Sequence, residues 1–122
     1  MPAAVAVSRI AEFRIDAVPP SLNRLLRNRG LRIREPAKWH LLVRNAARGI
    51  QPFHTPVSIQ LTFAGTRSDA DNLGKLVMDG LVRAGLIRDD RFPFVQELTL
   101  RVRPGKKRST TVKIETMAEE RA

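Results

Sequence analysis

Val57-Ser58-Ile59-Gln60-Leu61-Thr62-Phe63 alternates apolar and polar residues without a break, which is the period of a strand with one buried face. Its end delivers the chain to Asp69-Ala70-Asp71-Asn72-Leu73-Gly74-Lys75. From about Asn72 to Ala84 the period changes. Leu73, Leu76, Val77, Gly80, Leu81 and Ala84 fall at helical spacing, which predicts a helix with one face packed on a sheet. Gly85 ends it.

Working outward, Ala11, Phe13, Ile15 and Ala17 alternate with Glu12, Arg14 and Asp16, a first strand that Val18-Pro19-Pro20-Ser21 stops. The segment from Asn23 to Arg34 holds five arginines and no settled period, so it reads as a long basic loop. Pro36 suits the first position of a helix, where its missing N–H is no loss. Trp39, Leu42, Val43, Ala46 and Ile50 then mark the buried face and Gly49 the end, with Lys38, Arg44 and Arg48 elsewhere on the surface. On the other side, Phe94, Leu98, Leu100 and Val102 alternate with Glu97, Thr99 and Arg101. After Pro104-Gly105-Lys106-Lys107, a last strand turns Val112 and Ile114 inward. These two strands are expected to form a hairpin with a basic tip. The order strand, helix, strand, helix, strand, strand predicts an α+β fold, a mixed four-stranded sheet with two helices on one face.

Neither a repeat nor a low-complexity tract interrupts the 122 residues, and a single domain is expected over 1–122. Its folded part runs from about 9 to 116, with both ends contributing little to the core. Lys and Arg number 22 against 12 Asp and Glu, a formal net charge of +10. That excess points to a polyanionic partner. Nucleic acid fits better than a membrane, because the sequence has neither a long apolar run nor an obvious basic amphipathic helix. Cysteine is absent, which excludes disulfides, thiolate zinc sites and cysteine nucleophiles and is consistent with a cytoplasmic protein. The N-terminal Pro2-Ala3-Ala4-Val5-Ala6-Val7 is too short for a secretory signal and lacks a basic leader.

Against that basic background, Asp69 and Asp71 stand out. On an extended segment their side chains would project to one side, and two carboxylates held together stay ionised most easily around a divalent cation such as Mg²⁺ or Mn²⁺. The plainer reading is that Asp71 caps the following helix. Lys75 lies one turn beyond Asp71, where it could meet a phosphate beside a metal or simply pair with Asp71 or Asp79 on the surface. Asp89-Asp90 follows the helix and is either a third oxygen donor or an exposed acidic turn. An EF-hand is excluded, because the fifth and twelfth positions counted from Asp69 are Leu73 and Gly80. The Asp-x-Asp of aspartyl-phosphate phosphatases belongs to a doubly wound domain that does not fit two helices. His40 and His54 are isolated and read as structural.

Taken together, Pro19-Pro20-Ser21-Leu22-Asn23-Arg24, Asp69-Ala70-Asp71-Asn72-Leu73-Gly74-Lys75 and Asp79-Gly80-Leu81-Val82-Arg83-Ala84-Gly85-Leu86-Ile87-Arg88-Asp89-Asp90 resemble the RusA family of Holliday junction resolvases, often carried by prophages. The resemblance spans roughly residues 11 to 116, with the motifs in the same order. It implies a homodimeric, Mg²⁺-dependent endonuclease that makes paired cuts in a four-way DNA junction, leaving 5′-phosphate and 3′-hydroxyl ends. The family's three catalytic and metal-binding aspartates fall on Asp69, Asp71 and Asp90, and its important lysine on Lys75. Asn23, Arg24, Arg27, Arg29, Arg32, Arg34, Lys75, Lys106, Lys107 and Arg108 are then the candidate DNA contacts. The chain departs from its relatives at Leu25-Leu26, where aromatic residues are frequent, and at Gly74. Two other readings stand beside it: a non-catalytic nucleic-acid-binding module, and a nuclease acting on flaps or forks.

Overall fold

The computed structural model describes residues 9–20, 29–66 and 70–117, and for 29–35, 71 and 72 the backbone alone. The elements are β1 (Ile10–Ile15), α1 (Arg29–Ala46), β2 (Val57–Ala64), α2 (Ala70–Arg83), β3 (Val95–Arg103) and β4 (Ser109–Thr116). They build the expected α+β architecture, a mixed four-stranded sheet with two helices. The strand order is β1-β4-β2-β3. β4 runs antiparallel to both β1 and β2, while β2 and β3 are parallel, the arrangement that a crossover through α2 permits and a tight turn does not.

The hairpin expected of the last two strands does not form, because β2 lies between them. Alternation assigns faces to a strand but does not choose its neighbours. Val112 and Ile114, both fully buried, pair with Leu61 and Ile59, so β4 takes a central place. Leu98 and Val102 stay 45% and 39% exposed, as befits the edge strand β3. Residues 104–108 therefore cross the end of β2 to reach β4. Gly65 makes room for that crossing. Its N–H donates to the Arg103 carbonyl at 3.2 Å, its φ is +73°, and a Cβ there would lie 2.5 Å from the Lys107 carbonyl oxygen.

The helices also differ in detail from the sequence expectation. α1 begins at Arg29, so Pro36 sits inside it and the basic loop expected through Arg34 is helical from 29 onward. Residues 23–28 lie outside the described part. Trp39, Val43 and Ala47 form the buried row of α1, whereas Leu42, expected on that face, is 43% exposed. Trp39 and Val43 were expected on that row and Ala47 was not, while Ala46 and Ile50, also expected, are only half-buried against the core. In α2, Leu73, Leu76, Val77, Met78 and Leu81 are buried against Val57, Ile59, Leu61 and Phe63 of β2 and Ile15, Val112 and Ile114. Gly74 lets α2 settle on β3, since a Cβ there would stand 3.0 Å from Leu100 Cδ2.

β1, β2 and β3 point the same way, so their C-terminal ends share one rim of the sheet. α2 leaves that rim and runs back across the sheet. α1 ends beside it, for Arg44, Ala47, Arg48 and Gly49 line one depression with Ala84, Gly85 and Leu86. Both helices thus finish together at the far end.

Candidate functional site

The residues singled out by sequence divide between the two ends of the sheet. Asp71 is the second residue of α2, so it begins at the rim, where the unpaired N–H groups and the helix dipole favour negative charge. Its helical backbone replaces the extended one expected there, so Asp71 lies inside the helix and not at its cap. Asp69 itself lies outside the described residues, and of the Asp71 side chain nothing is described.

Lys75 stands one turn along α2 and is exposed. The pairing with Asp79 weighed for it does not occur. Asp79 Oδ2 instead faces Arg83 Nε at 3.4 Å and His40 Nε2 at 3.3 Å, so it ties α2 to itself and to α1. His40 is held below its usual pKa, first by burial and then by the Arg83 guanidinium, with Asp79 opposing. The approach to Asp79 is too poorly aligned for a hydrogen bond, and both His40 Nε2 and the Trp39 indole nitrogen are buried without a hydrogen-bond partner. His40 thus packs between the two helices without the hydrogen-bond satisfaction that a structural histidine is expected to have. His54 is exposed.

Asp90 lies at the opposite end. It precedes β3 by a short turn in which the Phe94 and Val95 N–H groups both donate to the Arg91 carbonyl, and Val57 N–H donates to Phe94 O. Asp90 is therefore beside the start of β2, whereas Asp71 follows its end. The 14 residues of α2 at ~1.5 Å rise each separate the two by about 20 Å, and the length of β2 gives a similar figure. Within one chain Asp90 therefore stands far from the start of α2. Among the described residues there is no cluster of three His, Cys, Asp or Glu side chains placed to hold a metal. Asp90 is exposed, and its N–H donates to Asp89 Oδ1 at 2.7 Å. That bond, with Arg91 Nε 2.9 Å from Asp89 Oδ2, holds the Asp89 carboxyl below its usual range. Asp89 is thus occupied in shaping the turn.

Of the candidate DNA contacts, Asn23, Arg24 and Arg27 lie outside the described residues, and Arg29, Arg32 and Arg34 are placed on the first turns of α1 by backbone alone. Lys106, Lys107 and Arg108 are exposed on the crossover at the rim, the same end as Asp71. Sequence reasoning missed Arg14, Arg101 and Arg103, exposed residues of the sheet face that the helices leave open. The polar half of each alternation was the available signal. The chain matches none of the protein-family models and none of the curated proteins with which it was compared.

Proposed function

We propose that this chain is a Mg²⁺-dependent endodeoxyribonuclease of the RusA type, acting as a homodimer on four-way DNA junctions in recombination and repair. The observation that carries the reading is the start of α2. An acid in its first turn shares the rim with the basic crossover, so a cation held there would lie beside side chains that suit phosphate. Donor chemistry fits the metal, because carboxylate oxygens are the ligands a hard divalent ion takes. Asp69 and Asp71 would hold it, and a bound Mg²⁺ supplies an acidified water and offsets charge on the scissile phosphate. Lys75, exposed and one turn along, would neutralise charge that develops on the phosphate oxygens.

The ~20 Å between Asp71 and Asp90 adds a condition: Asp90 completes the set only from a second chain. Two-fold symmetry meets that condition and gives two sites for two cuts. A complementation assay tests it. Asp71→Asn and Asp90→Asn homodimers should each fail to cut a junction, and a mixture of the two should regain cleavage, because one site then has all its carboxylates. Absence of recovery in mixed dimers would place Asp90 outside the site. The same separation supports the binding-module reading if the protein is monomeric, and in that case Mg²⁺ should promote cutting of no nucleic acid.

A further inference from the structure

At the rim, on the side away from the helices, Arg14 and Asp16 at the exit of β1 and Lys107, Arg108 and Ser109 at the entry to β4 wall a depression of about 440 Å³. Three cations face one carboxylate there. Asp16 is 3.2 Å from Arg14 Nε, and both side chains are largely exposed, so this pair is weak and is easily exchanged for a better anion. Lys107 and Arg108 have no carboxylate partner among the described residues.

The walls are fixed rather than loose. Thr110, fully buried, donates its hydroxyl to the Ala17 carbonyl at 2.8 Å and thereby ties the start of β4 to the exit of β1. Gly65 bonds to Arg103 at the end of β3 and lies close against the Lys107 backbone. From the depression a polar row continues over the open sheet face: Arg14 is opposite Thr111, Thr111 opposite Thr62, and Thr62 opposite Arg101. Two hydroxyl residues lie between two arginines, across about 14 Å at ~4.8 Å per strand.

We propose that this depression binds a backbone phosphodiester of DNA, with Arg14, Lys107 and Arg108 as its ligands, and that the Thr111–Thr62–Arg101 row carries the same strand across the open face. Arginine forks and lysine charge match phosphate oxygens, and hydroxyls supply hydrogen bonds without reading sequence. Asp16 acts as a built-in competitor that Arg14 leaves on binding. The inference rests on the nucleic-acid part of the proposed function and is independent of cutting.

The test is fluorescence anisotropy with a labelled duplex and a labelled four-way junction, without Mg²⁺, over a series of KCl concentrations. An Arg14→Ala/Arg108→Ala variant should bind at least about tenfold more weakly. Its log–log salt slope should shrink by roughly 0.9 for each phosphate that the variant no longer neutralises. Arg48→Ala, an exposed cation at the far end of the sheet, should leave the slope unchanged. Asp16→Asn should bind a few-fold more tightly, a gain that misfolding does not produce. If the rim variant keeps the wild-type slope, or Arg48→Ala lowers it equally, the site is refuted while DNA binding stands. Failure of the wild type to bind either DNA sinks the nucleic-acid reading itself. Saturation of the depression by inorganic phosphate, with DNA affinity unaltered, would assign it to a free anion and also overturn the proposal.

Discussion

Gly65 is where one residue decides how the basic crossover lies. Its φ of +73° is one that a side chain opposes by about 1–2 kcal/mol, and the added Cβ would also press on the backbone of Lys107 rather than on a movable side-chain tip. Gly65→Ala should therefore lower unfolding free energy in urea by about 2 kcal/mol or more and weaken DNA binding by displacing Lys106 to Arg108. Unchanged stability would mean that the crossover does not pass over this residue. The need for glycine here was not legible in the sequence, since it arises from a neighbour some forty positions away. Asp71 and Lys75 were legible as a spaced pair, and their helical relation follows directly from i and i+4. The capping role weighed for Asp71 does not hold, because its backbone is already helical.

Among the elements, β2 was readable because its two faces meet different surroundings: Val57, Ile59, Leu61 and Phe63 are buried, while Ser58, Gln60 and Thr62 are half-exposed. α2 was readable for the same reason, its apolar stripe being wide and unbroken. β3 had the right period but the wrong neighbour. Pairing is a non-local choice, and here burial of Val112 and Ile114 beside β2 outweighs the short connection that would favour a hairpin. α1 was misread at its start. Arginines in the first turn oppose the helix dipole, and a proline is more at home at N1 than seven residues in. Pro36 deprives α1 of a hydrogen bond to the Arg32 carbonyl, so Pro36→Ala should raise both helix content by circular dichroism and stability, the latter by about 1–3 kcal/mol. No change in either would place the true start of the helix at Pro36.

At the scale of the whole molecule, the topology separates residues that stand close together along the chain. Asp71 and Asp90 are 19 positions apart in the sequence, yet α2 carries them to opposite ends of the sheet. That is why a search along the sequence could pair them and a single folded chain does not. No helix among the described residues is long and apolar enough to cross a membrane. The rim gathers the first turn of α2, the exits of β1, β2 and β3, and the crossover, whereas the far end carries Asp89, Asp90 and the ends of both helices. A symmetric pair that brings the far end of one chain to the rim of the other is the arrangement in which all the candidate residues act together. The most direct measurement is cleavage of a synthetic four-way junction, a fork and a plain duplex, each with and without Mg²⁺, by the wild type and by Asp71→Asn. The account predicts paired, Mg²⁺-dependent cuts by the wild type in the junction in preference to the other two, and junction binding without cleavage by Asp71→Asn. Wild-type rates in Asp71→Asn, or no Mg²⁺-dependent cutting of any of the three by the wild type, would contradict it.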